Sequence, residues 1–180
     1  MKRMMLVLAL LAAPTPGVAR TESAALSARV QRVEDYLAIE RIQVDYAGFF
    51  DRRDIDGYVG LFTEDGEWAN EAGSHKGRAA IRAMLDGMIG KSPVPNLANY
   101  HIVSNPRIEL HGDTAKATSR YVFVTRGPEG QPTPVLSGVY HDELVRQGGR
   151  WLIKKRFAET VMPTSEEYRR LRQAQQGAGK

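Results

Sequence analysis

The chain has 180 residues, 42% of them hydrophobic and 26% charged, a balance that suits one globular domain and is short for two. It has no cysteine, so disulfides, thiolate nucleophiles and zinc–thiolate sites are excluded. The formal charge of +4 gathers at the N-terminus (Lys2, Arg3) and in the C-terminal tail (Arg169, Arg170, Arg172, Lys180), with no basic run interleaved with aromatics, which argues against a nucleic-acid partner.

Residues 1–19 have the pattern of an export signal. Lys2 and Arg3 precede an apolar run from Met4 to Ala13, Pro14 and Pro16 follow, and Gly17-Val18-Ala19 offers small residues for cleavage. The run is too short for a permanent span. The expectation is therefore a periplasmic or secreted protein with no membrane attachment after cleavage. The alternative is a mis-assigned start codon ahead of a cytoplasmic protein. Residues 20–29 are small and polar and are expected to form a flexible leader.

Val30, Val33 and Leu37 lead into Ile42, Tyr46, Phe49 and Phe50, two sets that each recur at three- and four-residue spacing, the mark of a helix. It should stop near Arg52, because Asp54 reads as the N-cap of a short second helix over about Ile55–Phe62. Thr63-Glu64-Asp65-Gly66 reads as a turn and Glu67–Asn70 as a short strand. Ile81, Met84, Leu85, Met88 and Ile89 form one stripe of a third helix, which Gly90 ends. Lys91–Ala98, with two prolines, reads as a loop.

From Asn99 the rhythm changes to strands, about Tyr100–Leu110, Ala115–Arg126, Val135–Val145 and Trp151–Met162. The turns between them are short, which predicts an antiparallel meander. Thr164-Ser165-Glu166-Glu167 is a capping box that opens a last helix. The folded domain is expected over 30–162, with 163–180 as a helix and tail. The fold class is α+β: three N-terminal helices close one face of a curved antiparallel sheet and enclose a conical pocket for one small, largely apolar molecule.

These stretches resemble a known family. Tyr46 to Asp56, Leu61 to Trp68, Gly77-Arg78-Ala-Ala-Ile81, His101-Ile-Val-Ser-Asn105, Gly138 to Leu144 and Gly149-Arg-Trp151 together are similar to SnoaL-like domains of the NTF2-like superfamily. The resemblance covers about residues 30–162. It implies an NTF2-like cone without a cofactor, a fold that hosts dehydratases, isomerases, hydrolases and non-catalytic subunits. Scytalone dehydratases and bile-acid 7α-dehydratases use an Asp at the end of the first long helix and a His opening the first long strand. Those positions resemble Asp51 and His101 here, and the tyrosine of the bile-acid enzymes resembles Tyr46. The chain departs where an acidic residue becomes Phe123 and an Arg becomes Thr160, and a second pocket His of the scytalone enzymes has no counterpart.

A His held by a carboxylate can move a proton, and a Tyr hydroxyl can stabilise a developing oxyanion. Asp51, His101 and Tyr46 are thus the candidate catalytic set. Each also has an ordinary reading: Asp51 closing the helix or pairing with Arg52 or Arg53, His101 as a satisfied core histidine, Tyr46 as part of the apolar stripe. Five residues do not put Tyr46 and Asp51 on one helical face, so the helix is expected to end or bend between them. Phe50, Trp68, Tyr121, Phe123 and Tyr140 are candidates for an aromatic lining, or for ordinary core. Arg156 is a candidate ligand for a carboxylate or phenolate, or faces water beside Lys154. His75 and His111 fall in expected turns, and His141 should face away from Tyr140. His141-Asp142-Glu143 lacks metal-ligand spacing, so no metal site is expected.

The function expected from the resemblance is a cofactor-independent lyase, a dehydratase or deformylating enzyme, acting on a hydroxylated hydrophobic aromatic or polycyclic small molecule. The alternatives are an isomerase or epoxide hydrolase of the same fold, or a non-catalytic ligand-binding or assembly subunit. The outer sheet face is expected to join copies of the chain as a homodimer or homotrimer.

Overall fold

The computed structural model describes residues 16–90 and 99–177. Residues 1–15 of the expected signal, the expected loop over 91–98 and residues 178–180 lie outside them. Two compact units divide the chain, Met1–Glu34 and Asp35–Lys180. In the first, every described residue belongs to the opening helix, α1 (Pro16–Arg52), and residues 21–34 are exposed. The stretch 20–29, expected as a flexible leader, is therefore helical. Pro16 stands where its missing N–H costs nothing, and no glycine or proline follows between Val18 and Ala47 to break the helix.

In the second unit α1 buries Asp35, Ile39, Ile42, Gln43, Tyr46 and Ala47, one face at helical spacing. Its end is a Schellman turn: Asp54 N–H donates to Phe49 O at 2.8 Å, and Arg53 N–H donates to Phe50 O at 3.0 Å. Arg53 takes the left-handed conformation (φ 64°) where glycine is usual. Asp54 then caps α2 (Ile55–Gly60) by accepting from Gly57 N–H, as expected, though α2 ends two residues early.

β1 (Phe62–Asn70) and β2 (Gly73–Lys76) form a hairpin that the sequence does not announce. Thr63–Gly66, expected as a turn, lies inside β1 as a wide irregularity. The register against the last strand jumps from Phe62↔Ile153 to Glu67↔Lys155. Gly66 fits there because an added Cβ would sit 3.0 Å from Thr63 O and 3.1 Å from Ile153 O. α3 (Arg78–Ile89) follows and stops at Gly90 (φ 72°).

The expected meander is β3 (Asn99–His111), β4 (Thr114–Arg126), β5 (Pro132–Gln147) and β6 (Arg150–Met162). It is part of a larger mixed sheet of order β2-β1-β6-β5-β4-β3, in which β1 runs parallel to β6. The sheet is curved and unclosed, with helices against it, which is the expected α+β class. Ile39, Ile42 and Tyr46 of α1, Tyr58 and Val59 of α2, and Ile81 and Leu85 of α3 share one core with the sheet. α4 (Ser165–Gly177) opens on the expected capping box: Thr164 N–H donates to Glu167 Oε2, and Glu167 N–H returns to Thr164 Oγ1.

Candidate active site

Strand pairing decides which side chains meet. His101 lies opposite Phe123, Tyr121 opposite Gly138, Phe123 opposite Leu136, Gly138 opposite Thr160 and Tyr140 opposite Ala158. All but Gly138 among these line one cavity of about 510 Å³, a size suited to a small organic molecule. α1 adds Tyr46 and Phe50, α2 adds Tyr58, β1 adds Trp68 and Asn70, and α3 adds Met84, Leu85 and Met88. Glu71, Ala72 and, from α4, Arg169 complete it.

Gly138 shapes this wall. A Cβ there would fall 1.8 Å from Glu159 O and 2.9 Å from Tyr121 Cε1. The bare position lets the Tyr121 ring lie across it and stack on Tyr140, centroids 4.3 Å apart and 12° from parallel. Every aromatic expected in the lining is in it: Phe50, Trp68, Tyr121, Phe123 and Tyr140.

Asp51 and His101 meet at the edge of the cavity. His101 Nδ1 lies 2.8 Å from Asp51 Oδ1, and the His101 backbone N–H donates to Asp51 Oδ2 at 2.8 Å. Asn99 Nδ2 also donates to Oδ1, at 3.2 Å. A carboxylate only accepts, so this contact puts the ring proton on Nδ1 and leaves Nε2 as the lone-pair nitrogen. His101 lines the cavity; Asp51 stands behind it. The spacing problem between Tyr46 and Asp51 thus resolves without a bend. Both remain helical, Tyr46 facing the cavity and Asp51 reaching β3 from another side of α1. The ring of His101 packs between Phe50 (5.1 Å) and Phe123 (4.7 Å), which fixes its plane.

Tyr46 is 4% exposed, and its hydroxyl accepts from Trp68 Nε1–H at 2.8 Å. An indole nitrogen can only donate, so the phenol keeps its own proton for another acceptor. Tyr58 packs against Tyr46 at 4.5 Å, and burial, followed by the charge of and a hydrogen bond with Tyr46, pushes its hydroxyl well above the ordinary phenol value. Burial does the same to Tyr140. Both are therefore neutral hydroxyls near neutral pH.

Arg156 is not where a substrate ligand would be. It is fully buried and does not line the cavity. Trp68↔Arg156 and Asp142↔Arg156 pairing turns it under the cavity floor. Its guanidinium lies 3.8 Å from the Tyr46 ring centroid and 4.5 Å from that of Tyr140. Nε and Nη2 donate to the two oxygens of Asp142 at 2.6 Å each, and Nη2 also donates to Gln43 Oε1 at 2.8 Å. Gln43 in turn donates to Asp142 and accepts from Ser119. Burial opposes the charge on Arg156, yet the Asp142 carboxylate outweighs it and holds the guanidinium above its ordinary value. The expectations that Arg156 binds substrate or faces water are corrected: it supports the rings of two tyrosines from behind. Asp142, Gln43 and Ser119 were not singled out by sequence; the signal was available in strand parity, which puts Asp142 on the face of Tyr140.

Among the other histidines, His141 points away from Tyr140 as expected and pairs with Glu159 at 2.7 Å on the exposed face. His75 sits in β2 beside Trp68, half-buried rather than in a turn, and His111 ends β3, exposed. Among the described residues no group of His, Asp and Glu could hold a metal ion.

Solved structures share this architecture. An NTF2-like protein with a cystatin-like fold from Novosphingobium aromaticivorans aligns with TM-score 0.70 and 25% identity over 78% of this chain and 91% of that one. A candidate scytalone dehydratase from the same organism aligns at 0.63 and 28% identity over 73% and 87%. ActVI-ORFA from Streptomyces coelicolor aligns at 0.61 and 26% over 71% and 98%. No curated protein matches the sequence significantly. The fold is one that serves cofactor-free catalysis or ligand binding. The profile of the SnoaL-like domain matches residues 31–157, most of the chain, and the chain therefore belongs to the SnoaL-like domain family.

Proposed function

We propose that the chain is a cofactor-independent lyase for a hydroxylated, hydrophobic aromatic or polycyclic molecule, with Asp51, His101 and Tyr46 as its working set. The observation that carries this is the His101 ring, which lines an aromatic cavity while Asp51 holds Nδ1 at 2.8 Å. Nε2 is then the base. It takes a proton from carbon beside a carbonyl or phenol, the electron pair forms the new double bond, and the C–O bond beyond breaks. The imidazolium, stabilised by Asp51, returns the proton to the departing hydroxide, and water leaves. The Tyr46 hydroxyl, its oxygen already occupied by Trp68, donates to the oxygen on which charge develops. Phe50, Trp68, Tyr121, Phe123 and Tyr140 hold the carbon skeleton and exclude water. The export-signal pattern of residues 1–19 supports a periplasmic or secreted setting for this reaction.

A binding role is the second reading, favoured by the apolar walls around few polar groups. The test is a thermal-shift screen with hydroxylated aromatics and steroids, each hit followed by mass spectrometry without added cofactor. Loss of water or formaldehyde from a hit, abolished by His101→Ala while binding persists, is the expected result. Hits returned unchanged support the binding role. Turnover that survives both Asp51→Asn and His101→Ala refutes the lyase reading.

A further inference from the structure

The cavity is polar in two places. On β3, His101 stands with Asp51 behind it. Across the sheet, Asn70 ends β1, Glu71 follows in the turn to β2, and both line the wall, as does Arg169 of α4. β6, β5 and β4 lie between β1 and β3, so four inter-strand steps of about 4.8 Å part Asn70 from His101 at backbone level. Ala158, Tyr140, Tyr121, Leu136 and Phe123 line the wall between them. Glu71 and Arg169 are exposed and mark the mouth, and Asn70 is half-buried within it. The end of β6 serves both: Thr160 N–H donates to Glu71 Oε1 at 2.9 Å, and α4 opens just beyond.

Acceptors here are occupied while donors are open. Asn70 Oδ1 accepts from Ala72 N–H at 2.9 Å, which leaves Nδ2 as the open group of that amide. On α4, Arg170 pairs with Glu166, whereas Arg169 has no ion pair among the described residues. We propose that Arg169, assisted by Asn70 Nδ2, binds a carboxylate of the substrate, at the end remote from the carbon that His101 deprotonates. The place of the chemistry rests on the lyase reading; the recognition does not need it. A guanidinium meets a carboxylate through two parallel N–H···O bonds, and the amide supplies a further donor. An ammonium group would instead face Arg169 and find Glu71 already held by a backbone N–H. Glu71 Oε2 is the competing charge, which balances Arg169 when no ligand is bound and repels a carboxylate. The substrate is then an aromatic or polycyclic acid whose body fills the apolar wall and whose charge stays at the mouth, beside water.

Calorimetry with four probes on one ring system tests this: 2-naphthol, 6-hydroxy-2-naphthoic acid, its carboxamide and 6-(aminomethyl)-2-naphthol. In the full chain carrying His101→Ala, which removes turnover, the acid should bind about three- to tenfold tighter than the carboxamide. Added salt should weaken the acid and leave the carboxamide unchanged. Arg169→Gln, an exposed change that suits a helix, should erase the preference; Asn70→Ala should lessen it and Glu71→Gln enlarge it, with melting temperatures held. An acid that binds no tighter than the carboxamide, a preference that survives Arg169→Gln, or an amine favoured over both overturns the proposal. The lyase reading fails separately: acids that bind wild-type protein with this preference and are returned unchanged leave the carboxylate site standing.

Discussion

Replacing Arg156 with methionine tests the site's foundation. The perturbation removes the guanidinium and leaves the Asp142 carboxylate fully buried, with Gln43 as its remaining neighbour in the network. Breaking a buried ion pair on one side costs about 3–5 kcal/mol, because the surviving charge has no water and no counter-ion. For a chain of this size about 2–4 °C of melting temperature accompanies each kcal/mol, so the drop should be about 6–20 °C. Adding Asp142→Leu removes the stranded charge and should recover much of the loss, although the Gln43 amide then lacks an acceptor, at about 1–3 kcal/mol. Urea unfolding of wild type, both single variants and the double variant closes the cycle. A cost under about 1 kcal/mol for Arg156→Met, or a double variant no better than the single, would refute the assignment of Arg156 as the counter-charge beneath Tyr46 and Tyr140.

Tyr46→Phe keeps the ring over Arg156 but strips the acceptor from Trp68 Nε1–H; turnover should fall about 10²–10³-fold with ligand affinity little changed, read by steady-state kinetics and calorimetry. Gly138→Ala drives a Cβ into Glu159 O and should cost at least about 3 kcal/mol or leave no folded protein, seen by circular dichroism and thermal melting. Tyr58 and Tyr140 hold their protons more tightly folded than unfolded, so their contribution to stability is complete below the ordinary phenol value near 10 and is lost as pH rises through their higher folded values. In an alkaline titration their phenolate absorbance should therefore appear together with the loss of circular dichroism, not before it.

The sequence by itself determined what local chemistry decides. Asp54 as a cap, Gly90 as a stop and the box from Thr164 to Glu167 depend on groups a few residues apart, and the four long strands on alternation and short turns between them; each element is where its pattern puts it. The family pattern named Asp51, His101 and Tyr46, and the aromatic positions also lie on the cavity. Tertiary structure alone decided the rest. The parallel pairing of β1 with β6, and with it the irregularity at Thr63–Gly66, joins segments some ninety residues apart (Phe62 with Ile153), and no local signal encodes which edge a strand will find. Only the sheet register, with its shifts at Ser137/Gly138 and Glu143/Leu144, settles which face a side chain takes. Arg156 shares the sheet face of Tyr140 and Ala158, and what takes it out of the cavity is its pairing with Asp142 beneath the Tyr46 and Tyr140 rings. Depth on a face, unlike the face itself, is set by what packs over a side chain, and for Arg156 those groups come from α1, β1 and β5.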